Sequence, residues 1–162
     1  MRCLGLDPGL GRCGWALVED EVAQDYGTWT TSPHLPEPQR LAMLYQAMTD
    51  TLLHHQPDCV ILESLFFGAN HTTAMQVSQA RGVLVLACGV HAIPCYAVTP
   101  HQVKQAVTGY GRASKAQVRQ MVTQIWHLPK PPTPDDTADA LAVAWTGQPI
   151  ARRHQRLITH SS

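Results

Sequence analysis

Four carboxylates in this chain stand where chemistry could use them. Asp7 closes the apolar run Leu4-Gly5-Leu6, and Glu63 closes Cys59-Val60-Ile61-Leu62. An ionised acid at the end of a buried strand is costly unless something compensates its charge. Asp136 and Asp139 are three residues apart near the start of a helical segment, a spacing that puts them on one face. Two acids from strands and two from a helix offer oxygen donors alone, which suits hard divalent cations such as Mg²⁺ or Mn²⁺. Two such ions about 3.5–4 Å apart can activate a water and stabilise a leaving oxygen in phosphodiester hydrolysis. Each acid also has a plainer reading. Asp7 could pair with an arginine, and Glu63 could be a solvated strand end. Asp136 could complement a helix dipole in a capping pattern with Thr133 as N-cap and Pro134 at the first position. Asp139 is harder to dismiss, because Ala138, Ala140, Leu141, Ala142 and Val143 surround it with an apolar helix.

The elements that must carry these acids can be read from the pattern. Apolar runs over 2–7 and 13–19, and a threonine-rich stretch over 22–31, predict a three-stranded meander. Leu41, Leu44, Tyr45, Met48 and Leu52 repeat at helical spacing, with Pro38 in the first turn and Pro57 past the end. Residues 59–62 form a continuous apolar run, as in a parallel strand buried on both faces. A helix over 72–89, a strand over 93–98 and helices near 100–108, 115–126 and 134–146 follow. This order predicts one α/β domain over 1–147, a meander on one side and crossovers on the other. Residues 148–162, with Arg152, Arg153 and Arg156 and few apolar positions, read as a basic, flexible tail. If the strands ending at Asp7 and Glu63 are parallel neighbours, both acids emerge on one sheet edge, where α/β ligand sites lie.

Size and composition set the outer limits. A chain of 162 residues with 44% hydrophobic content supports one globular core. No stretch approaches the roughly 18 apolar residues of a membrane span, and the N-terminus lacks the pattern of a signal peptide. The five cysteines (Cys3, Cys13, Cys59, Cys88, Cys95) show no metal-ligand spacing and read as buried free thiols. Together these points predict a cytoplasmic protein. The formal net charge is zero, yet residues 60–131 hold six basic residues and one acid, Glu63. That segment could form a basic face for nucleic acid, or its charges could be solvated on several faces.

Gly9, Gly11 and Gly14 spell G-x-G-x-x-G directly after the first strand. A dinucleotide site needs a helix next, and Trp15-Ala16-Leu17-Val18 is a strand. Asp7 would also repel a phosphate, so this motif is a turn into a hairpin.

In order along the chain, Gly5-Leu6-Asp7-Pro8-Gly9, Ile61-Leu62-Glu63, Gln79-Ala80-Arg81-Gly82, Gln102-Val103-Lys104-Gln105 and Asp136-Thr137-Ala138-Asp139-Ala140-Leu141-Ala142 resemble the RuvC family of bacterial Holliday-junction resolvases. The resemblance spans residue 2 to about 147. It implies a ribonuclease-H-like α/β fold: a five-stranded mixed sheet, with a three-stranded antiparallel meander plus parallel strands, flanked by helices. It also implies a homodimer that nicks two opposing strands of a four-way DNA junction by metal-dependent hydrolysis, leaving a 5′-phosphate. The family's four acids fall on Asp7, Glu63, Asp136 and Asp139, the metal ligands, with Asp7 bridging two Mg²⁺ or Mn²⁺ ions. Some members have histidine where this chain has Asp136. The family's active-site lysines fall on Lys104 and Lys115, where a cation would offset charge developing at the scissile phosphate. Phe66 falls on an aromatic that stacks on bases, and Phe67 beside it shares the loop past Glu63. RuvA and RuvB are the partners the resemblance implies, and the setting is the bacterial nucleoid.

Arg81, Arg112 and Arg119 belong to the basic segment and could hold phosphates. Asn70 and Thr72 read as part of another loop near the site and could contact bases. Competing readings are a ribonuclease-H-like nuclease acting on RNA and a catalytically silent junction-binding protein. An actin-like phosphotransferase also begins with an acid-glycine turn, but it needs a second phosphate-binding repeat and far more chain.

Overall fold

The computed structural model describes residues 1–64 and 71–159, with the side chains of 1–64 and 74–157. Five strands and five helices follow one another as β1 (Arg2–Asp7), β2 (Arg12–Glu19), β3 (Val22–Thr30), α1 (Glu37–His55), β4 (Cys59–Glu63), α2 (His71–Val90), β5 (Cys95–Val98), α3 (Pro100–Thr108), α4 (Lys115–Ile125) and α5 (Asp135–Thr159). The strands form one sheet in the order β3-β2-β1-β4-β5. β1, β2 and β3 are antiparallel neighbours, while β4 runs parallel to both β1 and β5. This is the mixed five-stranded sheet expected from the sequence, with meander and crossovers on opposite sides.

Side chains alternate across a strand, so each central strand serves two cores. Leu4, Leu6, Val60 and Leu62 face α1 and α2, packing with Leu44, Met48, Leu52, Ala80 and Leu84. Cys3, Ala16, Val18, Cys59 and Ile61 face the other layer, packing with Val103, Val118, Val122 and the Ala140–Ala144 run of α5. Asp7 and Glu63 share the odd-numbered parity of Cys3, Cys59 and Ile61. The same alternation that builds the second core therefore aims both acids towards α3, α4 and α5.

Two glycines let α5 lie close on the sheet. A Cβ on Gly5 would fall 2.5 Å from the Ala140 carbonyl oxygen and 2.7 Å from Ala144 Cβ. One on Gly14 would collide with the backbone carbonyl of Asp136. Gly14 is paired with Asp7 across the β1–β2 ladder, so the start of α5 is docked directly beside the end of β1.

The structure corrects three local expectations. α5 begins at Asp135, with the Thr137 N–H donating to the Pro134 carbonyl at 3.1 Å. Thr133 is therefore not the N-cap, and Asp135 and Asp136 both lie in the first turn. The same helix does not stop near 146. It runs to Thr159 through Pro149, a residue that removes a helical hydrogen bond. Tertiary contacts hold the continuation: Ala151 is fully buried, Arg152 pairs with Asp20 at 2.9 Å, and His154 packs on Tyr96. All five cysteines are free as expected, but Cys95 is exposed. Among the described residues no helix is long and apolar enough to cross a membrane.

Candidate active site

Five elements build the site. β1 delivers Asp7 and β4 delivers Glu63 from adjacent parallel strands, as the register Leu6↔Leu62 requires. α5 delivers Asp139 and Asp136. α3 and α4 deliver the lysines, and their starts are fixed by paired capping boxes. Thr99 Oγ1 accepts from the Gln102 N–H at 3.2 Å while Gln102 accepts from the Thr99 N–H at 2.8 Å; Ser114 and Gln117 do the same at 3.2 and 2.8 Å. These caps set where Lys104 and Lys115 point.

Asp7, Glu63, Asp139, Lys104 and Lys115 line one open cavity of about 250 Å³, walled on its apolar side by Pro100, Val103 and Val118. Lys115 Nζ donates to Asp139 Oδ2 at 3.2 Å. Lys115 occupies the first position of α4, where a helix dipole disfavours a cation, and its ammonium is largely exposed, so this pair contributes little to stability. Its position serves the cavity more than the fold.

The electrostatics are those of acids short of a cation. Burial, then the negative charges of Asp139, Glu63 and Asp136, push Asp7 up to about 8, against the opposing pull of Lys115. Burial and Asp139 raise Glu63 to about 7, with Lys115 and Lys104 opposing. Asp139 is also raised, chiefly by burial, although Lys115 pulls the other way. The Lys115 ammonium is raised in turn, first by Asp139. A divalent cation among these oxygens would relieve the repulsion, and the absence of thiol or imidazole from the set fits Mg²⁺ or Mn²⁺ over softer metals. Among the described residues, no three carboxylates are yet gathered closely enough to ligate one ion.

Asp136 is the acid held aside. It does not line the cavity, and its Oδ2 accepts from Arg12 Nε at 2.9 Å. Arg12 is not among the residues that the sequence singles out. Its signal was its parity: Arg12, Gly14 and Ala16 alternate on the α5 face of β2, five residues after Asp7.

The other expected site residues divide. Arg119 is paired with Asp135 at 3.0 Å beside the cavity, in a depression it shares with Lys115 and Asp139. Arg112 is exposed in the α3–α4 connection. Arg81 sits half-buried on α2, where its charge helps to lower the Cys95 thiol, and it does not line the cavity. Phe66, Phe67 and Asn70 lie outside the described residues, as does the side chain of Thr72 on α2.

Known proteins share this sequence and architecture. The family model for crossover junction endodeoxyribonuclease RuvC matches residues 3–147. A crossover junction endodeoxyribonuclease RuvC from Thermomicrobium roseum is 49% identical over 147 residues, covering 89% of this chain and 90% of its own. One from Alkaliphilus metalliredigens is 49% identical over 148 residues with the same coverage. Among solved structures, Thermus thermophilus RuvC in complex with Holliday junction substrate superposes with a TM-score of 0.89 at 33% identity, over 95% of this chain and 96% of that one. The yeast mitochondrial Holliday junction resolvase Ydc2 shares the fold, with a TM-score of 0.59 at 15% identity over 94% of this chain and 83% of its own.

Proposed function

The chain belongs to the RuvC family of crossover junction endodeoxyribonucleases, and from this we infer that it resolves Holliday junctions in recombination and repair, hydrolysing one phosphodiester bond in each of two opposing strands. The observation that carries the reading is the convergence of Asp7, Glu63 and Asp139, from two parallel strands and a helix, in one cavity with Lys104 and Lys115. Asp7, Glu63, Asp139 and Asp136 are the residues that would hold the divalent cations, Mg²⁺ or Mn²⁺ and two per site. Bound there, such ions supply an activated water and charge stabilisation at the leaving oxygen. Lys104 and Lys115 hold positive charge over the reacting phosphate, where preorganised charge is most effective. The apolar wall of Pro100, Val103 and Val118 limits solvent behind the acids. The products would carry a 5′-phosphate.

Binding draws on Arg119, in the depression beside the cavity, on Arg112, exposed in the α3–α4 connection, and on Arg81 on α2. Phe66 and Phe67, three and four residues beyond Glu63, are assigned to stacking on unpaired bases, and Asn70 to base contact. Cutting two strands symmetrically needs two sites, so the working unit is a homodimer. α2 is the element that supports it, since Met75, Leu86 and Val90 are each more than half exposed on its surface. RuvA and RuvB are the partners on the junction, and the bacterial cytoplasm and nucleoid are the setting.

The test is a synthetic four-way junction offered beside a linear duplex of the same sequence. With Mg²⁺ or Mn²⁺ the protein nicks opposing strands of the junction and leaves the duplex intact, and a chelator stops the reaction. Equal cutting of the duplex would refute junction resolution.

A further inference from the structure

The reading above leaves Arg12 unused, yet it is the partner of the one acid outside the cavity. Its backbone is fixed on both sides: Arg12 pairs with Thr30 in the β2–β3 ladder, and the neighbouring Gly11 carbonyl accepts from the Thr31 N–H at 3.0 Å. Asp136 is fixed against the same strand two residues on, where only a glycine at position 14 lets its carbonyl approach. The ion pair is thus set by one strand–helix contact, with Arg12 Nε 2.9 Å from Asp136 Oδ2. Its strength is modest. The Arg12 side chain is 53% exposed and that of Asp136 27%, and ion pairs this open are weak. Asp136 is nevertheless near enough for its charge to raise Asp7, although it does not line the cavity that holds the other three carboxylates.

We propose that Arg12 is a positioning residue that withholds Asp136 from Asp7, Glu63 and Asp139 until a divalent cation displaces it. This rests on the assignment of those four acids as the cation site. Loading then exchanges one charge pair for another. The guanidinium opposes the cation by holding one of its ligands. The site is therefore tuned to a weaker affinity than its four carboxylates would give alone.

Mn²⁺ binding to the full chain without DNA, followed by the paramagnetic resonance of free Mn²⁺, tests this directly. Arg12→Gln tightens Mn²⁺ binding about two- to five-fold, the ratio corresponding to loss of a half-exposed ion pair. Arg12→Lys, which keeps the charge, stays near the parent. In an Asp136→Asn background Arg12→Gln has no further effect, an outcome that a general change in surface charge would not produce. Unchanged or weaker binding by Arg12→Gln overturns the proposal, and so does equal tightening in the Asp136→Asn background. Asp7→Asn separates the two levels: it weakens Mn²⁺ binding if the acids form the site. Parental binding by Asp7→Asn would overturn the site assignment and the role of Arg12 with it.

Discussion

Asp7 is held in an environment that opposes its own charge, and this has a thermodynamic signature. Its folded pKa near 8 lies above the ordinary 3.8, and that of Glu63 near 7 lies above 4.5. Between those values the folded chain keeps protons that the unfolded chain releases. Stability from the neutral carboxyls is therefore present at low pH and is lost as pH rises through the window from about 4 to about 8. Asp7→Asn removes the largest part of this penalty. With metal chelated, the substituted protein should melt close to the parent near pH 4 and clearly above it at pH 8.5. A difference that is flat with pH would contradict the electrostatic account. A residue that lowers stability until a cation arrives is placed for function, because packing alone would favour an amide there.

At the level of elements, the site depends on how closely α5 approaches β1 and β2. Gly14 stands opposite the backbone of Asp136, which cannot withdraw without carrying the first turn of α5 with it. Gly14→Ala should destabilise the fold by about 1–3 kcal/mol, as overpacking does. It should also reduce junction cleavage more than junction binding, since Asp136 and Asp139 move while the basic residues of α3 and α4 do not. Denaturant unfolding, cleavage and binding assays on the same preparation check this, and equal loss of cleavage and binding would count against it. Most of this architecture was legible in the sequence. The apolar runs ending at Asp7 and Glu63 gave β1 and β4, and the helices expected near 100–108 and 115–126 are α3 and α4. The length of α5 was not legible, because Pro149 is a local stop signal that Asp20 and Tyr96, distant in sequence, override. The partner of Asp136 was hidden for a similar reason. Arg12 meets it only through the β2–α5 packing, and no periodicity reports which charge lies across such a contact.

Across the whole molecule, charge and shape are distributed by layer. The sheet separates an α1–α2 layer, whose outer side carries exposed Met75, Leu86 and Val90, from the α3–α4–α5 layer that holds the acids and the lysines. The exposed apolar residues of α2, proposed above as the dimer surface, and the acids thus lie on opposite faces of the sheet. A neutral chain can serve a polyanion because its basic residues are grouped: Lys104, Arg112, Lys115 and Arg119 follow one another from α3 to α4, and Lys104 and Lys115 line the cavity. If the clustered carboxylates cut the junction and the basic elements around them bind it, loss of one acid separates the two activities. The decisive measurement is Asp7→Asn on a four-way junction, with Mn²⁺ for cleavage and by gel shift for binding. Cleavage should fall by about 10²–10³-fold or more, the scale of removing one preorganised charge from a transition state, with binding retained. Undiminished cleavage by Asp7→Asn would rule out the carboxylates as the cutting site.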